Sequence, residues 1–152
     1  MAYKNQRSLA GKTVLIKENI FGNFMLEHLA NYINGTKKED FEAGLKDMIS
    51  RIDSAGARII LCTPTVIGEK VDGTNKFDEM LDEYSDISRK VAKETGSQLL
   101  DLRKAFIAYL RDHNTDNITK GILTEDTVHL NKNGNNFLSG LVLDALNVPR
   151  GN

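Results

Sequence analysis

The chain has a single cysteine, no apolar run long enough to span a bilayer and almost no net charge, and each of these scarcities excludes a class of protein. A lone cysteine forbids an internal disulfide and suits a reducing compartment. Cys62 closes the apolar run Ile59-Ile60-Leu61-Cys62. It reads as the end of a buried strand with no neighbouring cation to favour the thiolate, not as a nucleophile. The 20 Lys and Arg balance 21 Asp and Glu, for a formal charge of -1. They are interspersed as on solvated helix faces, so no nucleic-acid partner is expected. No stretch approaches the roughly 20 apolar residues of a membrane span, and no membrane partner is expected. Residues 1–12 are polar and lack the apolar core of a signal peptide, which makes cytoplasmic the expected location. Without a secretory signal, Asn34-Gly35-Thr36 and Asn117-Ile118-Thr119 read as chance matches to the glycosylation tripeptide.

With 152 residues, 40% of them apolar and 27% charged, the composition is that of a globular protein with a real core. The expectation is one domain over 1–152, with 1–11 as a loose lead-in. Thr13-Val14-Leu15-Ile16 reads as a buried strand. Phe21, Phe24, Met25, Leu29, Tyr32 and Ile33 then fall on one helical face, which Asn34-Gly35 ends; His28, within it, reads as a surface residue. Thr36-Lys37-Lys38-Glu39 has the form of a capping box with Thr36 as N-cap. It leads a helix carrying Phe41, Leu45, Met48, Ile49 and Ile52, stopped by Gly56. A second strand spans Arg58 to Cys62. A loop through Gly68, Asp72, Gly73 and Thr74 precedes a long helix with Phe77, Met80, Leu81, Tyr84, Ile87 and Val91 on one stripe. Gln98 to Leu102 reads as a third strand, followed by a short helix around Phe106 to Leu110 and a polar loop from Asp112 to Asp126. The last helix buries Phe137, Leu138, Leu141, Val142, Ala145 and Leu146, and Pro149 ends it.

Strands alternating with helices imply right-handed crossovers, a small parallel sheet and a three-layer α/β/α class. Sites in such sheets lie beyond the carboxyl ends of strands. The loops after Ile16, after Cys62 and before His129 therefore become candidates for one cleft.

The chemistry concentrates in Asp126-Thr127-Val128-His129. A carboxylate that accepts from one ring nitrogen fixes the tautomer of the histidine, and the other nitrogen can then take a proton from a hydroxyl or a water. No second His or carboxylate falls at ligand spacing nearby, so no metal and no cofactor is expected. His113, in the polar loop, reads as solvated. Thr63 and Thr65, just past the second strand, read as polar groups of a substrate pocket.

The string Asp126-Thr127-Val128-His129-Leu130-Asn131 with Gly134, just before a terminal helix, resembles the last sequence block of the SGNH (GDSL-type) esterases and acylhydrolases. Ala57-Arg58-Ile59-Ile60-Leu61-Cys62-Thr63-Pro64 is similar to that family's strand-plus-Pro segment. Tyr84 to Leu102 is similar to its long helix and Leu-Leu-Asp-Leu strand. The resemblance covers about three quarters of the chain, from Gly35 to Val148. It implies a shortened flavodoxin-like SGNH fold and a carboxylic ester hydrolase acting on a small-molecule ester, such as an acetyl or short acyl ester of a carbohydrate or lipid. It also implies Ser-His-Asp chemistry with His129 as base and Asp126 as its orienting acid.

The first half departs from the family's pattern. Where the family has its Gly-Asp-Ser turn, Val14-Leu15-Ile16 is followed here by Lys17-Glu18-Asn19-Ile20. Asn19 then takes the nucleophile position, and an amide cannot serve as an acyl-transfer nucleophile there. In a second register Gly22-Asn23 stands for the Gly-x-Asn-Asp block, which makes Asn23 the oxyanion-donor candidate although the final Asp is absent. Ser50, Ser54, Ser85, Ser88 and Ser139 fall in helices, Ser97 precedes a strand and Ser8 lies in the lead-in. None follows a strand in a tight turn. The expectation is an esterase that is weak or inactive. The alternative is a non-catalytic remnant that binds a ligand, or a homodimer formed through exposed sheet edges.

Overall fold

A computed structural model of the chain describes residues 10–17 and 36–148. In chain order the elements are β1 (Thr13–Lys17), α1 (Lys38–Ser54), β2 (Arg58–Cys62), α2 (Asp78–Thr95), β3 (Gln98–Leu100), α3 (Leu102–His113) and α4 (Lys132–Ala145). This is a helix-rich α/β fold with a small parallel sheet in the order β1-β2-β3. The helix expected from Phe21 to Ile33, with His28 in it, lies outside the described residues, as does Pro149.

Two compact units divide the chain: Met1–Cys62 with Ile87–Leu99, and Thr63–Asp86 with Leu100–Asn152. In the first, β1 and β2 run parallel with Val14 opposite Ile59 and Ile16 opposite Leu61. Ile60, Leu61 and Cys62 are buried, as the unbroken apolar run requires of a strand covered on both faces. Helix α1 packs on β2 through Phe41, Leu45 and Ile49, which recur every four residues and so share one face. Gly56, at φ +78, ends the helix in the left-handed conformation that only glycine adopts without strain.

The start of α1 corrects the expected capping box. Lys37, not Thr36, is the N-cap, and its carbonyl takes the first helical bond from Phe41 N–H at 2.9 Å. Lysine offers no side-chain acceptor. Glu39 and Asp40 instead place negative charge in the first turn, at the positive end of the helix dipole.

In the second unit the core forms around α3. Leu102, Phe106 and Leu110 are buried at four-residue spacing. The Phe106 and Tyr109 rings meet Phe137 of α4 at centroid distances of 5.2 and 4.6 Å. Burying a ring such as Phe106 contributes about 1.5–3 kcal/mol. Two boundaries differ from the sequence reading because of one residue. Asp101 caps α3, accepting from Lys104 N–H at 3.1 Å. This turn cuts β3 short at Leu100 and lengthens the following helix back to Leu102.

Helix α4 is less enclosed than its apolar stripe suggests. Phe137, Leu138, Leu141, Val142, Ala145 and Leu146 are half-buried, and the helix's buried residue is Gly134. A Cβ at Gly134 would collide with the Leu123 carbonyl oxygen, which already accepts from Asn131 N–H at 2.9 Å. A Gly→Ala change in an open helix stabilises by about 1 kcal/mol. Here a backbone carbonyl cannot swing aside, so Gly134→Ala is expected to destabilise by about 2 kcal/mol. Urea unfolding checks the sign, and a variant more stable than the parent would remove the close approach from the account.

Candidate active site

The segments that follow β2 and precede α4 are joined inside the second unit. Gly68 donates its N–H to Thr127 O at 2.8 Å, and Glu69 N–H donates to Thr119 O at 3.0 Å. Residues 121–131 fold back on themselves: Thr124 and Leu130 form an antiparallel bridge. Glu125 N–H bonds His129 O at 2.8 Å, and Asn131 N–H bonds Leu123 O at 2.9 Å. Asp126 to His129 form the tip of this small hairpin. Asn131 closes it as the N-cap of α4, accepting from Gly134 N–H at 3.0 Å. Its amide donates to Gly121 O and Thr124 O, each at 3.3 Å. Thr127 sits at φ +86, a left-handed conformation that is strained for a β-branched residue. The Gly68 bond to its carbonyl holds it there.

At the tip, Asp126 Oδ1 accepts from the N–H groups of Val128 (3.0 Å) and His129 (2.8 Å). Its Oδ2 lies 2.7 Å from His129 Nδ1. These contacts hold the Asp126 carboxyl far below the usual carboxylate range. The His129 backbone N–H has the largest effect, followed by the His129 ring and the Val128 N–H. An ionised carboxylate only accepts, so Nδ1 carries the ring proton, and Nε2 of the neutral ring has its lone pair free for a proton. The side chains of His129 and Asp126 are 59% and 52% exposed. Among the described residues no hydroxyl hydrogen-bonds Nε2. Ser54 and Ser139 bond helix carbonyls of Ser50 and Asn135, and Ser85 is buried against Leu81 O.

The other sequence candidates fall elsewhere. Asn19 and Asn23 lie outside the described residues. Thr63 is buried and its hydroxyl works internally, accepting from Arg103 N–H at 2.8 Å and donating to Asp101 Oδ1 at 3.2 Å. Thr65 is half-buried and gives its carbonyl to Arg103 Nη1 at 3.4 Å. Arg103, buried, is neutralised by Asp82 and Asp78, each at 2.8 Å. A cavity of ≈ 220 Å³ beside it is lined by Val66, Gly68, Lys70, Asn75, Asp78 and Ile107 among others, and His129 is not in its wall. His113 is exposed but not merely solvated, for its ring stacks on Tyr109 at 3.9 Å and Nδ1 lies 2.8 Å from Tyr109 O. No group of three or more His, Cys, Asp or Glu among the described residues is placed to hold a metal ion. No helix among them is long and apolar enough to cross a membrane.

One residue that the sequence pattern did not single out is Glu69, which has 0% exposure. Its Oε1 accepts from Leu123 N–H (2.7 Å), Thr124 N–H and Thr124 Oγ1 (2.8 Å), and its Oε2 accepts from Ile122 N–H (2.8 Å). The available signal was a carboxylate directly after the buried run Val66-Ile67-Gly68.

The GDSL-like lipase/acylhydrolase family profile matches residues 29–137. Asn19 and Asn23 precede that match. A search of curated proteins gives no match. Among solved structures, the acetyl xylan esterase AlAXEase is 36% identical with a TM-score of 0.82, the match covering 89% of this chain and 67% of that one. LAE5, described as an alpha/beta hydrolase enzyme from the metagenome of Lake Arreo, Spain, is 22% identical with a TM-score of 0.68 over 91% of this chain. Axe2, an acetylxylan esterase from Geobacillus stearothermophilus, is 20% identical with a TM-score of 0.68 over 92% of this chain. At these identities LAE5 and Axe2 bear on the fold alone, and the chain spans 60% and 61% of their lengths. The family profile spans well over half of the chain and includes the Asp126–His129 hairpin, so the chain belongs to the GDSL-like lipase/acylhydrolase (SGNH) family.

Proposed function

We propose that this chain carries the proton-transfer half of an ester hydrolase site, directed at acetyl esters of carbohydrates, and that it turns such esters over poorly. The observation that carries this reading is the 2.7 Å contact of Asp126 Oδ2 with His129 Nδ1. It leaves Nε2 as a base of fixed tautomer, able to deprotonate a hydroxyl or a water and return the proton to the leaving alcohol. AlAXEase, the 36% identical relative, is an acetyl xylan esterase, which supports an acetyl group on a sugar as the substrate class. No serine lies in the stretch Lys17-Glu18-Asn19, and none hydrogen-bonds the His129 ring among the described residues. Water activated by His129 is then the available nucleophile.

The second reading, a ligand-binding or dimerising module, draws on the sheet edge. Among the described residues, strand β1 ends the sheet order and Leu15 is 40% exposed. An edge of this kind is a template for pairing with a second copy.

On the first reading, hydrolysis of 4-nitrophenyl acetate is slow and carried by His129-assisted attack of water, a general-base contribution of about 10²–10⁴-fold. It falls about tenfold or more in His129→Ala and ignores a serine-directed phosphonate. A fast, phosphonate-sensitive burst would overturn the missing nucleophile. Asp126 gives a second expectation. Its carboxyl titrates below the ordinary value when folded, so the stability it contributes is complete above about pH 4 and is lost as pH falls through the folded value. The urea-midpoint gap between the parent and Asp126→Asn should therefore narrow as pH falls below about 4. A gap that stays flat into strong acid would contradict the hydrogen-bonded carboxylate.

A further inference from the structure

The Asp126–His129 pair is too exposed to be held by its own surroundings, since both side chains are more than half open to water. What fixes it must act through the backbone of its hairpin. The three N–H groups that converge on Glu69 belong to Ile122, Leu123 and Thr124, the strand of the hairpin that runs directly into Glu125 and Asp126. Thr124 is bridged to Leu130 on the returning strand, so a grip on one strand restrains both. The main chain of Glu69 extends the grip: its N–H bonds Thr119 O, and its carbonyl accepts from Asn114 Nδ2 at 2.7 Å. Its neighbour Gly68 holds the Thr127 carbonyl at the hairpin tip. Four donors and no acceptor face the Glu69 carboxylate, and no described cation forms a salt bridge with it. Among the described residues its charge is balanced by three backbone N–H groups and the Thr124 hydroxyl, an arrangement available only while the 122–124 turn keeps its shape.

We propose that Glu69 is a positioning residue of the hydrolase site, whose buried carboxylate sets the 121–131 hairpin so that Asp126 and His129 keep their contact. The proposal rests on His129 as the base, and it extends the site from the hairpin tip to a residue more than fifty positions away in the sequence. Glu69→Gln preserves size but turns an NH₂ group toward backbone donors. Two N–H groups then face each other and the turn loosens.

Nitrogen-detected NMR of the His129 ring and amide exchange test this on the full chain. In the parent, the ring is the Nδ1–H tautomer, and the Val128 and His129 amides that bond Asp126 are protected. Glu69→Gln shifts the ring toward Nε2–H and speeds exchange at Val128 and His129 by about tenfold or more, leaving α1 and β2 amides as in the parent. Thr124→Val removes only the hydroxyl bond to Glu69. It is expected to move the same signals in the same direction by about threefold, and it carries the test should Glu69→Gln not fold. Either variant leaving the ring tautomer and these two amides unchanged overturns the proposal. So does a rise in exchange that is uniform over α1, β2 and the hairpin, because that marks a purely structural carboxylate. The base reading fails separately: a 4-nitrophenyl acetate rate unchanged in His129→Ala refutes it, while the tautomer comparison still decides what Glu69 positions.

Discussion

A carboxylate with no exposure to water is tolerable only if donors replace its hydration, and at Glu69 the donors are three successive backbone N–H groups and one hydroxyl. The dependence runs both ways. The charge needs the turn at 122–124, and the turn has its N–H groups satisfied only by the charge. This mutual requirement lets a hairpin with a strained Thr127 at its tip stand at the surface with a defined shape. Arg103, the other fully buried charge of the same unit, is handled by opposite means: two carboxylates, Asp78 and Asp82, neutralise it directly. That arrangement ties the start of α2 to α3.

The parts of the molecule that the sequence made legible are those written in local chemistry. Ile59 to Cys62 had to be a covered strand because an unbroken apolar run admits little else, and Gly56 and Gly96, both at positive φ, punctuate their helices as C-terminal glycines do. The Asp126–His129 contact was readable because only two residues separate the partners. Asn131 and Gly134 belonged to the same string, and each has a physical duty: Asn131 caps α4, and Gly134 lets the helix approach the Leu123 carbonyl.

What the sequence hid depends on partners far along the chain. Glu69 looks like any loop glutamate until residues 122–124 are brought to it. Thr63 looks like a pocket hydroxyl until Arg103 N–H and Asp101 claim it. Asp101 reads as the interior of a strand, yet it ends that strand by capping a helix. The apolar stripe of α4 promised full burial, but periodicity states only which face is apolar and not how completely it is covered. Thr36 showed a capping pattern whose helix begins one residue later, the usual margin by which local signals misjudge an end.

The two halves of the expected triad differ in how much of the fold they need. Among the described residues, the hydrogen bonds that orient His129 come from within the second unit. Asp126 is three residues away, Gly68 holds the carbonyl between them, and Asn131 and Glu69 hold the strands on either side. None of these contacts uses a residue of β1. On the register that puts β1 at the family's first strand, a nucleophile would instead come from the stretch Lys17-Glu18-Asn19. The base arm is thus a self-contained local structure, while the nucleophile is a long-range addition to it. That asymmetry lets the Asp126–His129 contact and the Asn131 cap form whatever residue supplies the nucleophile.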